Sequence, residues 1–427
     1  MTARRSAIVV GAGIIGLATA WELLRRGWTV TVVEQNPGPG QGSTTSSLGI
    51  VRFHAASLEA AALAVEGFGW WQHWHEWLGL DDDTVTPAFR STGSLVLDLG
   101  DGYVDSVALN LGRLAVPYLR WSLPETARRF PFLDLRRFGG DPHRPDGYLD
   151  GALFTPGSGY VTDPALAAGN VALAFAAAGG SVHYRRRVVG IQADSDRLVS
   201  VRFADGGTLT AAAVVCVAGP QTRRLLELAD VLGDFTVVPA PLRHDMYLAR
   251  LEAVPGGAAV PHLVDDDLRI NFRPEGPTGF LGGLEQPPGT VGDPRSDGLP
   301  SDERPASGRY DEVMLRLGSR VPAAGFPMRP TGVVGFYDVT PDWTPVYDRT
   351  AMPGLFVAAG TSGSQLKTAP FVGALMAELV TASADGRDHD AAPVVVSGRY
   401  VDHQFDLRYY SRRRPVPAAA ASHTING

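Results

Sequence analysis

Six residues narrow the fold of this chain more than any others. Gly11-Ala12-Gly13-Ile14-Ile15-Gly16 follows the short β-branched run Ala7 to Val10 and opens a helical stretch, Ile14 to Arg26. A strand, a glycine turn and a helix in that order aim backbone N–H groups and the positive end of the helix at one spot, which suits a dinucleotide pyrophosphate. Gly11 permits the turn, Gly13 lets the phosphates approach, and Gly16 lets helix and strand pack closely. A valine-rich second strand, Thr29 to Glu34, ends on an acid 18 residues after Gly16. Glu34 there accepts hydrogen bonds from ribose hydroxyls, and its charge disfavours a 2′-phosphate. The competing explanation is an incidental glycine turn in a nucleotide-free α/β domain.

The same α/β character returns twice. Pro164 to Ala178 reads as a helix, followed by strand Ser181 to Tyr184, a small antiparallel ribbon, and the apolar strand Ala213 to Ala218 ending at Gly219. Further on, strand Leu355 to Ala359, the glycine turn Gly360 to Gly363 and helix Pro370 to Ala382 repeat the pattern. An NAD dehydrogenase usually keeps its nucleotide domain contiguous, whereas scattered pieces suit a protein that encloses FAD from end to end. The expected architecture is α/β: a Rossmann-like FAD-binding domain of the glutathione-reductase type, from residues 1–88, 150–228 and 330–400. An antiparallel-sheet substrate domain, 89–149 and 229–329, is inserted in it. Gln286 to Gly308, dense in Pro, Gly, Asp and Ser, reads as a long loop, disordered or a lid. Residues 401–427 read as a frayed tail.

Composition closes off other classes. With 45 acidic against 38 basic side chains, a net charge of −7 and no basic stretch outside the tail, nucleic-acid binding is disfavoured. The single cysteine, Cys216, excludes an intramolecular disulfide framework and fits a reducing compartment, so a cytoplasmic location is expected. Arg4-Arg5 and the apolar run to Ala20 imitate a secretory signal, but the glycine spacing places that run in a folded domain. No stretch is long and apolar enough for a membrane span. His73 and His75 read as exposed positions on one packed amphipathic helix, and Asp81 to Asp83 as a solvated turn, so no metal is expected. Of the 38 cationic side chains only Lys367 is a lysine. The chain uses arginine wherever a cation suffices, which singles out Lys367 as a place where a guanidinium does not substitute.

Four segments together resemble the glycine oxidase, sarcosine oxidase and D-amino acid oxidase superfamily of flavoenzymes: the opening fingerprint, Gly42 to Arg52, Gly335 to Asp342, and Gly360 to Lys367. The resemblance runs from about Ser6 to Tyr400 and is strongest toward the sarcosine oxidase and dimethylglycine dehydrogenase branch. It implies an FAD-dependent oxidoreductase that oxidises the C–N bond of an amino acid or N-alkylated amino acid. Hydride passes to flavin N5, the imine is hydrolysed, and oxygen or another acceptor takes the electrons. By the resemblance, Arg52 and Lys367 hold the substrate carboxylate and Tyr337 lines the pocket. Gly11, Gly13, Ile14, Ile15, Gly16, Glu34, Ser43, Thr44, Val188, Gly219, Gly360, Gly363 and Lys367 hold the cofactor. The dipole of the helix after Lys367 is expected to face the flavin pyrimidine.

Two departures alter what the resemblance implies. Gly335 stands where sarcosine oxidases carry the cysteine that tethers FAD, and Ser46 where the dimethylglycine group carries a histidine, so FAD is expected to be held without a covalent bond. The lysine that helps activate oxygen in sarcosine oxidases falls near Leu281, which leaves the acceptor open. Two other functions remain. A 2-hydroxy acid dehydrogenase would need a base, with His54 or His244 as candidates. A flavin-carrying subunit of a larger complex would have only the tail to offer a partner.

Overall fold

The computed structural model describes residues 5–195, 198–251, 260–276, 278–286, 290, 292–293, 295–299 and 304–416. Its first sheet has six strands in the order Ser181–His183, Thr29–Val33, Ser6–Val10, Ala213–Cys216, Leu355–Ala359, Val346–Arg349. The first five run parallel and the last is antiparallel. These strands read as continuous apolar runs because both faces are covered. Ala7 and Val9 point to one face, under the helices Ile14–Arg25, Pro164–Ala177 and Ala369–Ala384. Ile8 and Val10 point to the other, against a three-stranded antiparallel sheet of Val188–Ser195, Leu198–Phe203 and Thr208–Ala211. Helix Ala369–Ala384 is apolar all round and buried along most of its length.

The second large sheet has nine strands. Its spine is the twelve-residue strand Ala240–Leu251, paired with Gly332–Val339 on one part and Gly279–Leu284 on another. Ile270–Glu275, His262–Asp265, Ser94–Asp98, Gly151–Thr155 and Leu119–Ser122 extend it. Helix Ser307–Arg320 lays Tyr310, Val313, Met314 and Leu317 on its outer face.

Several expectations require correction. Strands Gly151–Thr155 and Gly332–Val339 belong to this sheet, which is antiparallel except where His262–Asp265 pairs parallel with Ser94–Asp98, and not to the FAD-binding one. Local alternation identifies a strand but not its partner, which is chosen by non-local pairing. The tryptophan-rich stretch is two helices, Leu58–Gln72 and Trp74–Leu78. The break falls at His73, whose Nδ1 bonds the Gly69 carbonyl at 2.8 Å, the acceptor its own amide would use in a continued helix. His73 is exposed and His75 half-buried. The expected tail is packed as far as described: Phe405, Leu407, Tyr410 and Arg412 are buried, and 417–427 lie outside the described residues. Of the 286–308 segment, 287–289, 291, 294 and 300–303 also lie outside them. Its described part packs on the body, where the Asp293 amide donates to the Pro241 carbonyl at 2.7 Å, and helix begins at Ser307.

Candidate active site

A cavity of about 840 Å³ lies between the C-terminal ends of the parallel strands and the inner face of the nine-stranded sheet. Gly11, Gly13, Ile14, Ile15, Gly16, Glu34, Ser43, Thr44, Arg52, Val188, Gly219, Tyr337, Gly363 and Lys367 all line it. Among the candidates from sequence, Gly360 does not. Its φ is +65°, and a Cβ there would meet Thr340 Cγ2 at 2.3 Å, so its glycine serves the turn itself.

The glycine loop separates demands made by the protein from room left for a ligand. A Cβ on Gly11 would meet the Val217 carbonyl oxygen at 2.3 Å, and one on Gly16 the Gly11 oxygen at 2.1 Å. Both are forced by the chain's own packing. A Cβ on Gly13 would meet only Thr44 Oγ1, at 3.4 Å, and Gly13 caps its helix without a side chain. What requires glycine there is close approach from the cavity, as a pyrophosphate over the helix end demands. Glu34 accepts from the Ala12 and Asn36 amides, each at 2.8 Å, which fixes its carboxylate on the cavity wall. The Ile14 amide bonds Thr44 Oγ1 at 3.1 Å, and Ser43 Oγ donates to the Phe336 carbonyl at 2.5 Å. These residues fit an adenine dinucleotide.

The other end of the cavity gathers residues from several elements. Arg52 follows the short strand Ile50–Val51, is 7% exposed, and donates through Nη1 to the His54 carbonyl at 2.7 Å. Lys367, 6% exposed, precedes helix Ala369–Ala384 and donates from Nζ to the Ser364 carbonyl at 2.6 Å. Its own carbonyl accepts from Trp71 Nε1 at 2.9 Å, and a Cβ on Gly67 would strike it at 2.4 Å. Helix Leu58–Gln72 thus fixes the backbone beneath the Lys367 side chain. Burial, then the neighbouring Arg52, pushes the Lys367 pKa well below its usual range. Burial also lowers that of Arg52, which Tyr103, Glu285 and Asp266 partly offset.

Pairing of Ala240–Leu251 with Gly332–Val339 sets Leu242 opposite Tyr337 and His244 opposite Gly335. His244 therefore stacks on Tyr337, ring centroids 4.7 Å apart. Burial, then Arg309, lowers the His244 pKa to about 4. His262 also lines the cavity, its Nδ1 2.7 Å from Ser94 Oγ, and burial with Arg52, Lys367 and Arg273 lowers its pKa to about 3. Both imidazoles are neutral at pH 7. Burial raises Asp338 to about 6 against hydrogen bonds from Thr361.

His262, Asn271, Glu285 and Asp338 line the cavity without having been singled out from sequence. Asp338 sits inside a recognised motif and only its burial was invisible. The other three come from middle segments that carry no motif, and nothing in the sequence marks them. Leu281 is buried in strand Gly279–Leu284 and is not among the cavity residues. Cys216 is fully buried in its strand. Among the described residues no three His, Cys, Asp or Glu side chains gather as a metal site requires, and no helix is long and apolar enough to cross a membrane.

A glycine-bridged parallel sheet, an acid at the end of its second strand and a large cavity roofed by the nine-stranded sheet define a dinucleotide-dependent oxidoreductase of the flavin type. The chain belongs to the DAO family, FAD dependent oxidoreductase, whose model matches residues 6–379, and FAD is its cofactor. It is 25% identical to glycine oxidase of Geobacillus kaustophilus over 392 residues, covering 89% of this chain and 94% of that protein. It is 24% identical over 422 residues to the formaldehyde-forming 4-methylaminobutanoate oxidase of Paenarthrobacter nicotinovorans, 95% of this chain and 47% of that protein. Matches to the tRNA 5-methylaminomethyl-2-thiouridine biosynthesis bifunctional protein MnmC are shorter, and the chain spans 30% of the Cupriavidus metallidurans protein at 27% identity. Among solved structures, L-proline dehydrogenase from P. horikoshii shares the fold with a TM-score of 0.72 at 22% identity, over 90% of this chain and 95% of that one. Glycine oxidase from Geobacillus kaustophilus does so at 0.69 and 22%, over 88% and 94%.

Proposed function

We propose that this protein oxidises the C–N bond of an amino acid or N-alkylated amino acid. The observation that carries this reading is that Arg52 and Lys367, both buried, line one cavity with the glycine loop and Glu34. Arg52, together with Lys367 once it is charged, attracts a carboxylate strongly in a site held out of water and orients the carbon that bears the nitrogen. FAD bound there supplies the two-electron acceptor for the hydrogen on that carbon. Tyr337 and His244, stacked on each other, form an uncharged wall of the cavity. The neutral histidines leave the substrate amine without a competing positive charge on that wall. The parallel sheet carries the cofactor end of the cavity, and the nine-stranded sheet supplies one wall of the substrate end.

Gly335 lies beside Ser46, where a Cβ on the glycine would be 3.0 Å from that of the serine. Neither position carries a tethering side chain, which supports FAD held without a covalent bond. Acid precipitation should leave the yellow colour in the supernatant, and a yellow pellet would refute this. For the reaction itself, the purified protein is mixed anaerobically with N-methyl, cyclic, D- and L-amino acids while its flavin absorbance is followed. Bleaching is expected with at least one, and readmitting air identifies oxygen or another molecule as the acceptor.

A second reading, oxidation of a 2-hydroxy acid, is favoured by one observation. His244 and His262 line the cavity as neutral imidazoles able to take a hydroxyl proton. Bleaching by 2-hydroxy acids and by none of the amines would establish it instead.

A further inference from the structure

Arg52, Ser364, Gln365 and Lys367 have a cavity on each side. Behind them, away from the main cavity, lies a chamber of about 190 Å³ bounded by Ala60 and Ala64 of helix Leu58–Gln72, the turn at Trp343 and Thr344, and Tyr409–Tyr410. It meets the surface at Ala56 and at Tyr409, which is 40% exposed, and Lys367 lies in its wall. Two side chains lining it are buried polar groups without a hydrogen-bond partner. His54, 1% exposed, has both ring nitrogens unpaired, and Tyr410, also 1% exposed, has an unpaired hydroxyl. Leaving a buried polar group unsatisfied is costly, so these two mark a place made for a hydrogen-bonding occupant. At about 30 Å³ per molecule the chamber has room for a short chain of water.

We propose that this chamber is a proton path between Lys367 and solvent, carried by water and relayed by His54. The proposal rests on the reading of Lys367 as the carboxylate-binding group. An amino acid arrives as the zwitterion but is oxidised as the free amine, so one proton must leave its nitrogen. Lys367 with an unprotonated amine accepts it: an N–H bond of the substrate ammonium breaks, an Nζ–H bond forms, and no electrons change hands. The transfer makes, in one step, the cation that holds the carboxylate and the lone pair that oxidation requires. When product leaves, the proton passes from Nζ to chamber water, to His54, and out past Tyr410 and Ala56.

The surroundings support this direction of flow. Burial and Arg52 both favour the neutral amine of Lys367 in the empty site. His54 is kept neutral by burial and then by Arg52, His262 and Lys367, so it has an acceptor nitrogen to offer. His262 lies parallel to it at 6.1 Å but lines the main cavity instead, its Nδ1 taken by Ser94. Across the chamber, Asp342 is held by Arg414 at 2.7 and 2.8 Å, and Tyr409 stands at the mouth.

The test uses acetate, which has a carboxylate and no ammonium, on the FAD-loaded protein in weak buffer near pH 8 with a pH indicator. Flavin absorbance reports binding and the indicator reports protons. Wild-type protein should take up protons in step with acetate binding, because Lys367 must charge to hold it. Ala60→Leu, which narrows the chamber from a half-buried position, and His54→Asn, which removes the relay, should each slow uptake roughly tenfold or more while leaving the Kd for acetate unchanged. Unaltered uptake rates in both variants, with melting temperatures like wild type, overturn the proposal. If instead Lys367→Met binds acetate as tightly as wild type, the carboxylate-clamp reading fails, and that result is separate from the uptake rates.

Discussion

Lys367 concentrates the residue-scale chemistry because it is both the single lysine and a buried one. If Lys367 holds the carboxylate as proposed, replacing it with methionine removes a charge-assisted hydrogen bond, and KM for a carboxylate substrate should rise about 10- to 100-fold. Lys367→Arg is not expected to restore it, since a planar guanidinium does not fit the space of an ammonium anchored on the Ser364 carbonyl. Unchanged kinetics in both variants would remove Lys367 from the site. Asp338 and the histidines make a pH prediction of opposite signs. Burial raises Asp338 from 3.8 to about 6, so its contribution to stability is full below pH 3.8 and is lost as pH rises through 6. Asp338→Asn should therefore gain on wild type between pH 5 and pH 8, by roughly 1–1.5 kcal/mol. His244 and His262 are lowered from 6.5 to about 4 and about 3, so their contribution is present above 6.5 and lost as pH falls toward those values. Chemical denaturation across pH 4–8 checks both slopes, and a His244→Phe variant should show the shallower loss in acid.

At the scale of elements, much of the order comes from buried carboxylates that tie distant segments together. Glu66, on helix Leu58–Gln72 and fully buried, accepts from Trp70 Nε1 at 2.8 Å and from the amides of Arg399, Tyr400 and Val401 at 3.0, 2.7 and 3.1 Å. An ionised carboxylate accepts all four, whereas an amide would turn its NH₂ toward these donors. Glu66→Gln should thus cost nearly as much as Glu66→Ala, about 2–4 kcal/mol in denaturant unfolding, and a neutral effect of Gln would show that the charge is not needed. Helices and parallel strands were legible because their periodicity is local: Ile14–Arg25, Pro164–Ala177 and Ala369–Ala384 fall within a residue or two of the expected runs. The kink at His73 was not, because it depends on a side chain capturing the Gly69 carbonyl.

Across the whole molecule, the last described segment acts as a strap. Arg412, fully buried, binds Asp234 through Nε at 2.5 Å, Asp348 through Nη1 at 2.9 Å, and Asp390 through both Nη atoms at 2.9 and 3.0 Å. Arg412→Met would strand these carboxylates and should cost about 3–5 kcal/mol, read as a lower denaturation midpoint with an unchanged slope. A midpoint within error of wild type would mean that the strap adds nothing. The same three arginines, Arg412 to Arg414, look from sequence like a loose basic end, since charge alone does not reveal that its partners lie far back in the chain. That contrast marks the division. The glycine turn, Glu34, the helix periods and the lone lysine are set by neighbours within a few residues, so the sequence alone determined the cofactor fold and the clamp candidates. Which sheet takes strands Gly151–Thr155 and Gly332–Val339, which histidines face the cavity, and what lies behind Lys367 depend on pairing between residues far apart in the chain. Only the tertiary structure decides those, because burial, and with it the charge state of His244, His262, Asp338 and Lys367, exists only once distant segments have closed around them.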